Sequence, residues 1–207
     1  MDAGAHMLVA MPLWEVPGPR LLLTSSGLAT MGYALPAAIA AALCLPQAQS
    51  LPQAQGLPQA QGLPQAQGAP VLAFTGDGGL GMTLAEIETA VRLSLRVIVI
   101  VFNDAALSLI KIKQRPAGQG GEEAVRYRPV SFAAAAAALG AAGAAVSTER
   151  ELAAALTDAL ARAGPTVIDA SVDPACYPAV MDLTRGQAGR RSVPGTGRAL
   201  HPKEHAQ

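Results

Sequence analysis

The chain is predicted to adopt an α/β fold, a doubly wound parallel sheet with helices on both faces. Three observations lead there. Continuous apolar runs at residues 70–74, 97–102 and 166–172 suit strands buried on both faces. Helix-period patterns alternate with these runs, as in strand-helix-strand units. The first run also ends in a glycine cluster, Gly76-Asp77-Gly78-Gly79, which reads as a strand-to-helix turn.

At 207 residues the chain can form one good-sized domain, placed at residues 1–183. The apolar fraction of 51% is rich in alanine and the formal net charge is zero, so nothing points to nucleic acid or an acidic polymer as partner. Cys44 and Cys176 lie far apart without metal-ligand spacing or a secretory signal. They read as two buried thiols in a reducing compartment, and a cytoplasmic protein is expected. No apolar run approaches the roughly 18–20 residues of a membrane helix.

Taken in order, residues 1–8 start abruptly and read as a loop. Residues 20–24 form a short Leu-rich strand between Pro19 and Ser25-Ser26, followed by a glycine turn at Gly27 and a small-residue helix whose alanines allow close packing on the sheet. Residues 45–68 repeat a hexad, LPQAQS once and LPQAQG three times. Proline and glycine in each unit oppose a helix, and one leucine per unit buries too little to fold. The repeat reads as an expanded surface loop, with a protein-docking tract as the functional alternative.

After the strand at 70–74, Leu84, Ile87, Val91 and either Leu93 or Leu95 mark one apolar helix face. The run 97–102 is the next parallel strand and ends at Asn103-Asp104. A helix starts at Ala106 and reaches Lys113; Lys111, Lys113 and Arg115 read as a solvated face rather than substrate ligands. Residues 116–128 form a loop that is mobile or acts as a lid. A helix at 132–139 precedes a strand near 144–146. Thr148 and Glu151 have capping-box spacing for a helix that ends at Gly164-Pro165. Residues 166–172 are the last strand, and 184–207 are polar and aperiodic, a disordered tail.

The chemistry concentrates at the glycine cluster. Its glycines let the backbone approach a bound group, and free N–H groups at a helix start favour an anion such as a phosphate. An acid beside that cradle is repelled unless a cation lies between, so Asp77 suggests Mg²⁺ bridging to a diphosphate. Neighbouring parallel strands deliver their carboxyl ends to one edge, so Asp77 and Asp104 can meet there although 27 positions separate them. Gly76, Gly78 and Gly81 also fit a dinucleotide G-x-G-x-x-G pattern. That reading puts Asp77 inside the phosphate cradle and leaves Asn103-Asp104 without a role.

Gly76-Asp77-Gly78, a helix, a strand and then Asn103-Asp104 resemble the diphosphate-binding signature of thiamine diphosphate enzymes. The resemblance implies thiamine diphosphate and Mg²⁺ as cofactors, with Asp77, Asp104 and the main-chain carbonyl of Ala106 as metal ligands. Asp104 stands where many members have asparagine; it keeps the coordinating oxygen and adds charge. Gly27-Leu28-Ala29-Thr30-Met31-Gly32 and Leu35-Pro36-Ala37-Ala38-Ile39 closely resemble a segment of the acetolactate synthase branch. By that resemblance Ala29, Thr30 and Met31 line the pyrimidine and diphosphate, a core role for Met31 being the alternative.

The Asp2-x-Gly4 start resembles the loop that runs under the cofactor in the same branch. Met7, or Leu8, is then the apolar wedge that bends the cofactor. Ala5 and His6 supply contacts, the alternative for His6 being a solvated loop histidine. Gly76, Gly78, Gly79, Ala105, Ala106, Leu107, Ser108 and Leu109 complete the implied cofactor lining.

The resemblance covers residues 2–185 and corresponds only to the diphosphate-binding domain of the usual enzyme. The implied function is the cofactor-binding part of a 2-oxo acid decarboxylase or carboligase near acetolactate synthase. No catalytic residue is expected in this chain, because the activating glutamate belongs to a pyrimidine-binding domain or subunit, reached in a homo- or hetero-oligomer. The chain is then a fragment or a natural subunit. A non-catalytic cofactor-binding or assembly module and a nicotinamide nucleotide binder are the other readings.

Overall fold

The structure, a computed structural model, describes residues 1–16, 18, 21–25, 27–48, 70–114 and 122–184. In chain order the elements are α1 (Ala5–Leu13), α2 (Ala34–Ala48), β1 (Val71–Gly76), α3 (Asp77–Thr83), α4 (Glu86–Arg92), β2 (Val97–Asn103), α5 (Ser108–Gln114), α6 (Glu122–Val125), α7 (Phe132–Ala138), β3 (Ala142–Val146), α8 (Glu149–Ala161), β4 (Thr166–Ser171) and α9 (Tyr177–Thr184), the last preceded by a 3-10 turn, Pro174–Cys176. The strands make one parallel sheet in the order β1-β2-β4-β3.

The alternation of side chains along β2 builds both layers. Val97, Val99 and Val101 face Leu35, Ile39, Leu80, Ile87, Phe132 and Ala136, and so pack under α2, α3, α4 and α7. Ile98 and Ile100 face the other way, towards Ile168, Ala159 and Leu156 of β4 and α8. On that second face Trp14, just past α1, stands edge-on to Phe74 of β1. The expected doubly wound sheet is therefore present, and β1, β2 and β4 end on one edge at Gly76, Asn103 and Ser171.

Several local expectations are corrected. Residues 21–25 form no strand; the Leu23 carbonyl accepts from the chain's first nitrogen at 2.7 Å, so part of that backbone serves the N-terminus instead of a ladder. Residues 5–8 are helical, in α1. The glycine cluster is the first turn of α3 itself, and the chain bends at Leu84-Ala85. Leu95, not Leu93, joins the core, because α4 stops at Arg92. α2 runs on through the first four residues of the repeat, since lengthening an alanine-rich helix is cheaper than starting one.

Four residues assigned to a loop form α6. The helix at 108 starts two residues later than expected, β3 two residues earlier than the expected 144–146, and α8 ends at Ala161, short of Gly164-Pro165. Its capping box is present: the Thr148 hydroxyl accepts from Glu151 N at 3.3 Å, and the Glu151 carboxylate accepts from Thr148 N at 3.2 Å. α9 occupies 177–184, including the first residue of the expected tail. Cys44 and Cys176 are exposed rather than buried. The rest of the repeat, residues 115–121 and the tail from 185 lie outside the described residues. Among those described, no helix is long and apolar enough to cross a membrane.

Candidate functional site

Asp77 follows the last residue of β1, and Asp104 the last residue of β2. Gly76 pairs with Phe102 in the parallel register, so the two acids emerge side by side. Asp77 is buried. Its Oδ1 accepts from Gly78 N at 2.7 Å and its Oδ2 from Asp104 N at 3.2 Å, while the Tyr127 hydroxyl and the Ala105 amide stand near it. The expected anion cradle is thus shared, because Asp77 takes the Gly78 amide for itself. Half-buried Asp104 accepts at Oδ2 from the Ser108 hydroxyl, which α5 supplies.

Burial is the main cause that pushes the Asp77 carboxyl above the usual range. The Asp104 charge adds to it, and the donors from Tyr127, Gly78 and Ala105 oppose it. The same pair of acids acts on two phenols. Burial first, then Asp77 as acceptor and the charges of Asp77 and Asp104, raise Tyr127; burial and then the Asp104 charge raise Tyr177 of α9.

Between the acids and α5 the chain turns sharply. Ala105 has φ 55°, in the left-handed region that costs an alanine roughly 1–2 kcal/mol. Ala106 then faces Arg126 in an isolated antiparallel bridge. Tyr127 N donates to the Ala105 carbonyl at 3.2 Å and Leu107 N to the Val125 carbonyl at 2.8 Å. Because these bonds flank Ala106, its own carbonyl is turned away from Arg126.

The N-terminal segment closes the other side. The buried Asp2 carboxylate accepts from Gly32 N (2.9 Å), Tyr33 N (3.1 Å) and the Thr75 hydroxyl (2.9 Å). Gly79 has to be glycine here, for a Cβ would stand 2.1 Å from Asp2 Oδ2. His6 is buried in the first turn of α1, not a solvated loop residue, and stacks on Phe102 with centroids 5.3 Å apart. Burial pushes its imidazole down to about 4, against the pull of Asp2, and its Nε2 is buried without a partner.

These walls enclose a cavity of about 520 Å³. Of the residues singled out from sequence, Ala5, His6, Met7, Leu8, Ala29, Met31, Gly76, Asp77, Gly78, Gly79, Asp104, Ala106, Leu107, Ser108 and Leu109 line it, and Thr30 and Ala105 do not. Gly78 is its floor, since a Cβ there would meet Leu107 at 2.4 Å and Met31 at 3.2 Å. Lys113, read as solvated, also lines the cavity. Tyr177 and Met181 were not found because the stretch after the last strand was assigned no helix, and Tyr127 because a loop was expected there.

Among the described residues no group of three His, Cys, Asp or Glu side chains could hold a metal. A cation at this edge has two side-chain carboxylates and would complete its shell with main-chain and ligand oxygens. That donor set suits Mg²⁺, which keeps few protein carboxylates and takes phosphate oxygens.

Comparison with known proteins bears on this site. A family model described as thiamine pyrophosphate enzyme, C-terminal TPP binding domain, matches residues 2–170. The chain is 32% identical over 173 residues to acetolactate synthase isozyme 1 large subunit of Escherichia coli (strain K12), covering 83% of this chain and 27% of that protein. It is 30% identical over 172 residues to acetolactate synthase of Bacillus subtilis (strain 168), covering 83% and 26%. The chain therefore spans about a quarter of the length of these curated relatives. The crystal structure of benzoylformate decarboxylase from Polynucleobacter necessarius superposes with a TM-score of 0.56 at 23% identity, covering 70% of this chain and 24% of that one, a likeness of fold.

Proposed function

The chain belongs to the thiamine pyrophosphate enzyme family, as its C-terminal TPP-binding domain, and from that premise we propose that it holds the diphosphate and Mg²⁺ of thiamine diphosphate for a 2-oxo acid decarboxylase or carboligase resembling acetolactate synthase. The observation that carries this reading is the meeting of Asp77 and Asp104 at the ends of adjacent parallel strands, beside a glycine floor.

In this reading Asp77, Asp104 and the Ala106 carbonyl hold the metal. Gly76 and Gly78 let the backbone come close to the diphosphate, and Gly79, also on the cavity wall, leaves room for Asp2 behind it. Ala5, His6, Met7, Ala29, Met31, Leu107, Ser108 and Leu109 line the rest of the cofactor, whereas Thr30 and Ala105 lie outside the cavity. Bound there, the cofactor supplies an electron sink for the carbanion that 2-oxo acid decarboxylation leaves. The chain's part is to anchor and orient; activation of the aminopyrimidine falls to a glutamate of a pyrimidine-binding domain, in the same enzyme or on a partner subunit of an oligomer. Exposed, unpaired Cys44 and Cys176 fit a reducing, cytoplasmic setting.

Titration calorimetry with thiamine diphosphate tests the site. With a matching pyrimidine-binding domain present, binding should require Mg²⁺ and weaken at least roughly 100-fold in Asp77→Ala, beyond the usual effect of losing a residue behind a ligand. Metal-independent binding, or none, refutes the reading. Turnover of pyruvate by the reconstituted pair supports a catalytic role; binding without turnover leaves a cofactor-holding module.

A further inference from the structure

Both acids at the sheet edge have a hydroxyl beside them, and the two hydroxyls come from different parts of the fold. Ser108 reaches Asp104 from within the same turn, four residues on. Tyr127 comes close to Asp77 from a segment that pairs with the turn through the bridge between Ala106 and Arg126. That segment makes two kinds of contact through one residue. The Tyr127 N–H holds the Ala105 carbonyl, next to the carbonyl of Ala106, and the Tyr127 hydroxyl lies 3.4 Å from where a Cβ on Gly78 would stand, against Asp77.

A carboxylate turns easily about its last torsion, a broad well rather than a staggered one. A small divalent cation nevertheless demands near-octahedral oxygens at about 2.0–2.1 Å. Outer donors that fix a ligand's plane are therefore part of a metal site. For Asp77 the amide donors Gly78 and Asp104 are parts of the strand ends, and Tyr127 offers the neighbouring side-chain hydroxyl.

We propose that Tyr127 is a positioning residue for the cation site, its hydroxyl setting the plane of Asp77 while its N–H sets the turn that presents the Ala106 carbonyl. This rests on the reading of Asp77, Asp104 and Ala106 as the ligands of a divalent cation. The segment 125–127 is then a strap across the metal turn, acting on two of the three ligands.

The test uses the full chain with a matching pyrimidine-binding domain present, thiamine diphosphate and Mn²⁺ as the probe, with free Mn²⁺ followed by electron paramagnetic resonance. Tyr127→Phe, which removes only the hydroxyl, should weaken Mn²⁺ binding roughly tenfold or more, in the range usual for outer donors. Its far-UV spectrum and metal-free melting curve should stay those of the parent, which separates positioning from a structural role. An unchanged Mn²⁺ affinity in Tyr127→Phe, with the parent binding normally, overturns the proposal and leaves the metal site standing. No diphosphate-dependent Mn²⁺ binding in the parent removes the site and the proposal together. A second measurement needs no variant: 3-fluorotyrosine placed at 127 should shift its ¹⁹F resonance when Mg²⁺ is added with thiamine diphosphate, and a resonance indifferent to Mg²⁺ also overturns it.

Discussion

His6 carries a neutral ring in the core because burial outweighs the attraction of Asp2. In the unfolded chain it takes a proton near its ordinary value of 6.5, and in the folded chain only near 4. Between those values the unfolded state binds more protons, so this residue's contribution to stability is present above 6.5 and is lost as pH falls towards 4. The loss is on the order of 3 kcal/mol when complete. Asp77, whose carboxyl is raised, works in the opposite sense as pH falls. The difference between the parent and His6→Gln isolates the imidazole: denaturant titrations at pH 7 and pH 4.5 should find the parent losing more stability than the variant. Equal losses would mean that His6 titrates normally. At this scale the acids were legible, because glycine turns and strand ends announce themselves locally. Of the hydroxyls beside them, Ser108 was legible as a neighbour of the strand end and Tyr127 was not, since it comes to the site through an isolated bridge with no periodic signal.

Among the helices that cover the sheet, α7 lies close on β3. α7 is phenylalanine followed by alanines, and Gly143 lies so near that a Cβ would stand 2.1 Å from the Ala133 carbonyl oxygen. That neighbour is backbone and cannot step aside. Gly143→Ala should cost roughly 2–3 kcal/mol and lower the melting temperature by roughly 5–10 °C. Gly81→Ala, at a helical position where a Cβ meets nothing within 4 Å, is the control and should hold or raise it. A thermal scan decides, and equal midpoints for the two variants would contradict the packing. The strands were legible as apolar runs and α8 by its capping box. α1 was not, because Gly4 gives it no side-chain cap, Pro12 lies inside it and it is apolar all round. α9 had a signal that went unused: Asp173 caps the turn before it, accepting from Ala175 N at 2.9 Å, with Pro174 next.

For the molecule as a whole, the alternation of elements made the layered parallel sheet legible, whereas its order did not follow from the chain, because it depends on which crossover skips a place. The repeat joins α2 to the start of β1, whereas the site turn leaves that strand at its other end, Gly76. Excising two LPQAQG units should change stability by under about 1 kcal/mol, since closure entropy varies only with the logarithm of length. Calorimetry on the shortened chain checks this, and a loss of several kcal/mol would reveal contacts made by the repeat. The parallel pairing of β1 with β2 has a last consequence. Strands lie roughly 4.8 Å apart by the geometry of their main-chain ladder, so the gap between the two acids is measured out by a ruler that no side chain calibrates. Repacking the layers above and below can alter how firmly the blade is clamped, while a slip of one notch would carry Asp77 to the opposite surface and part the pair.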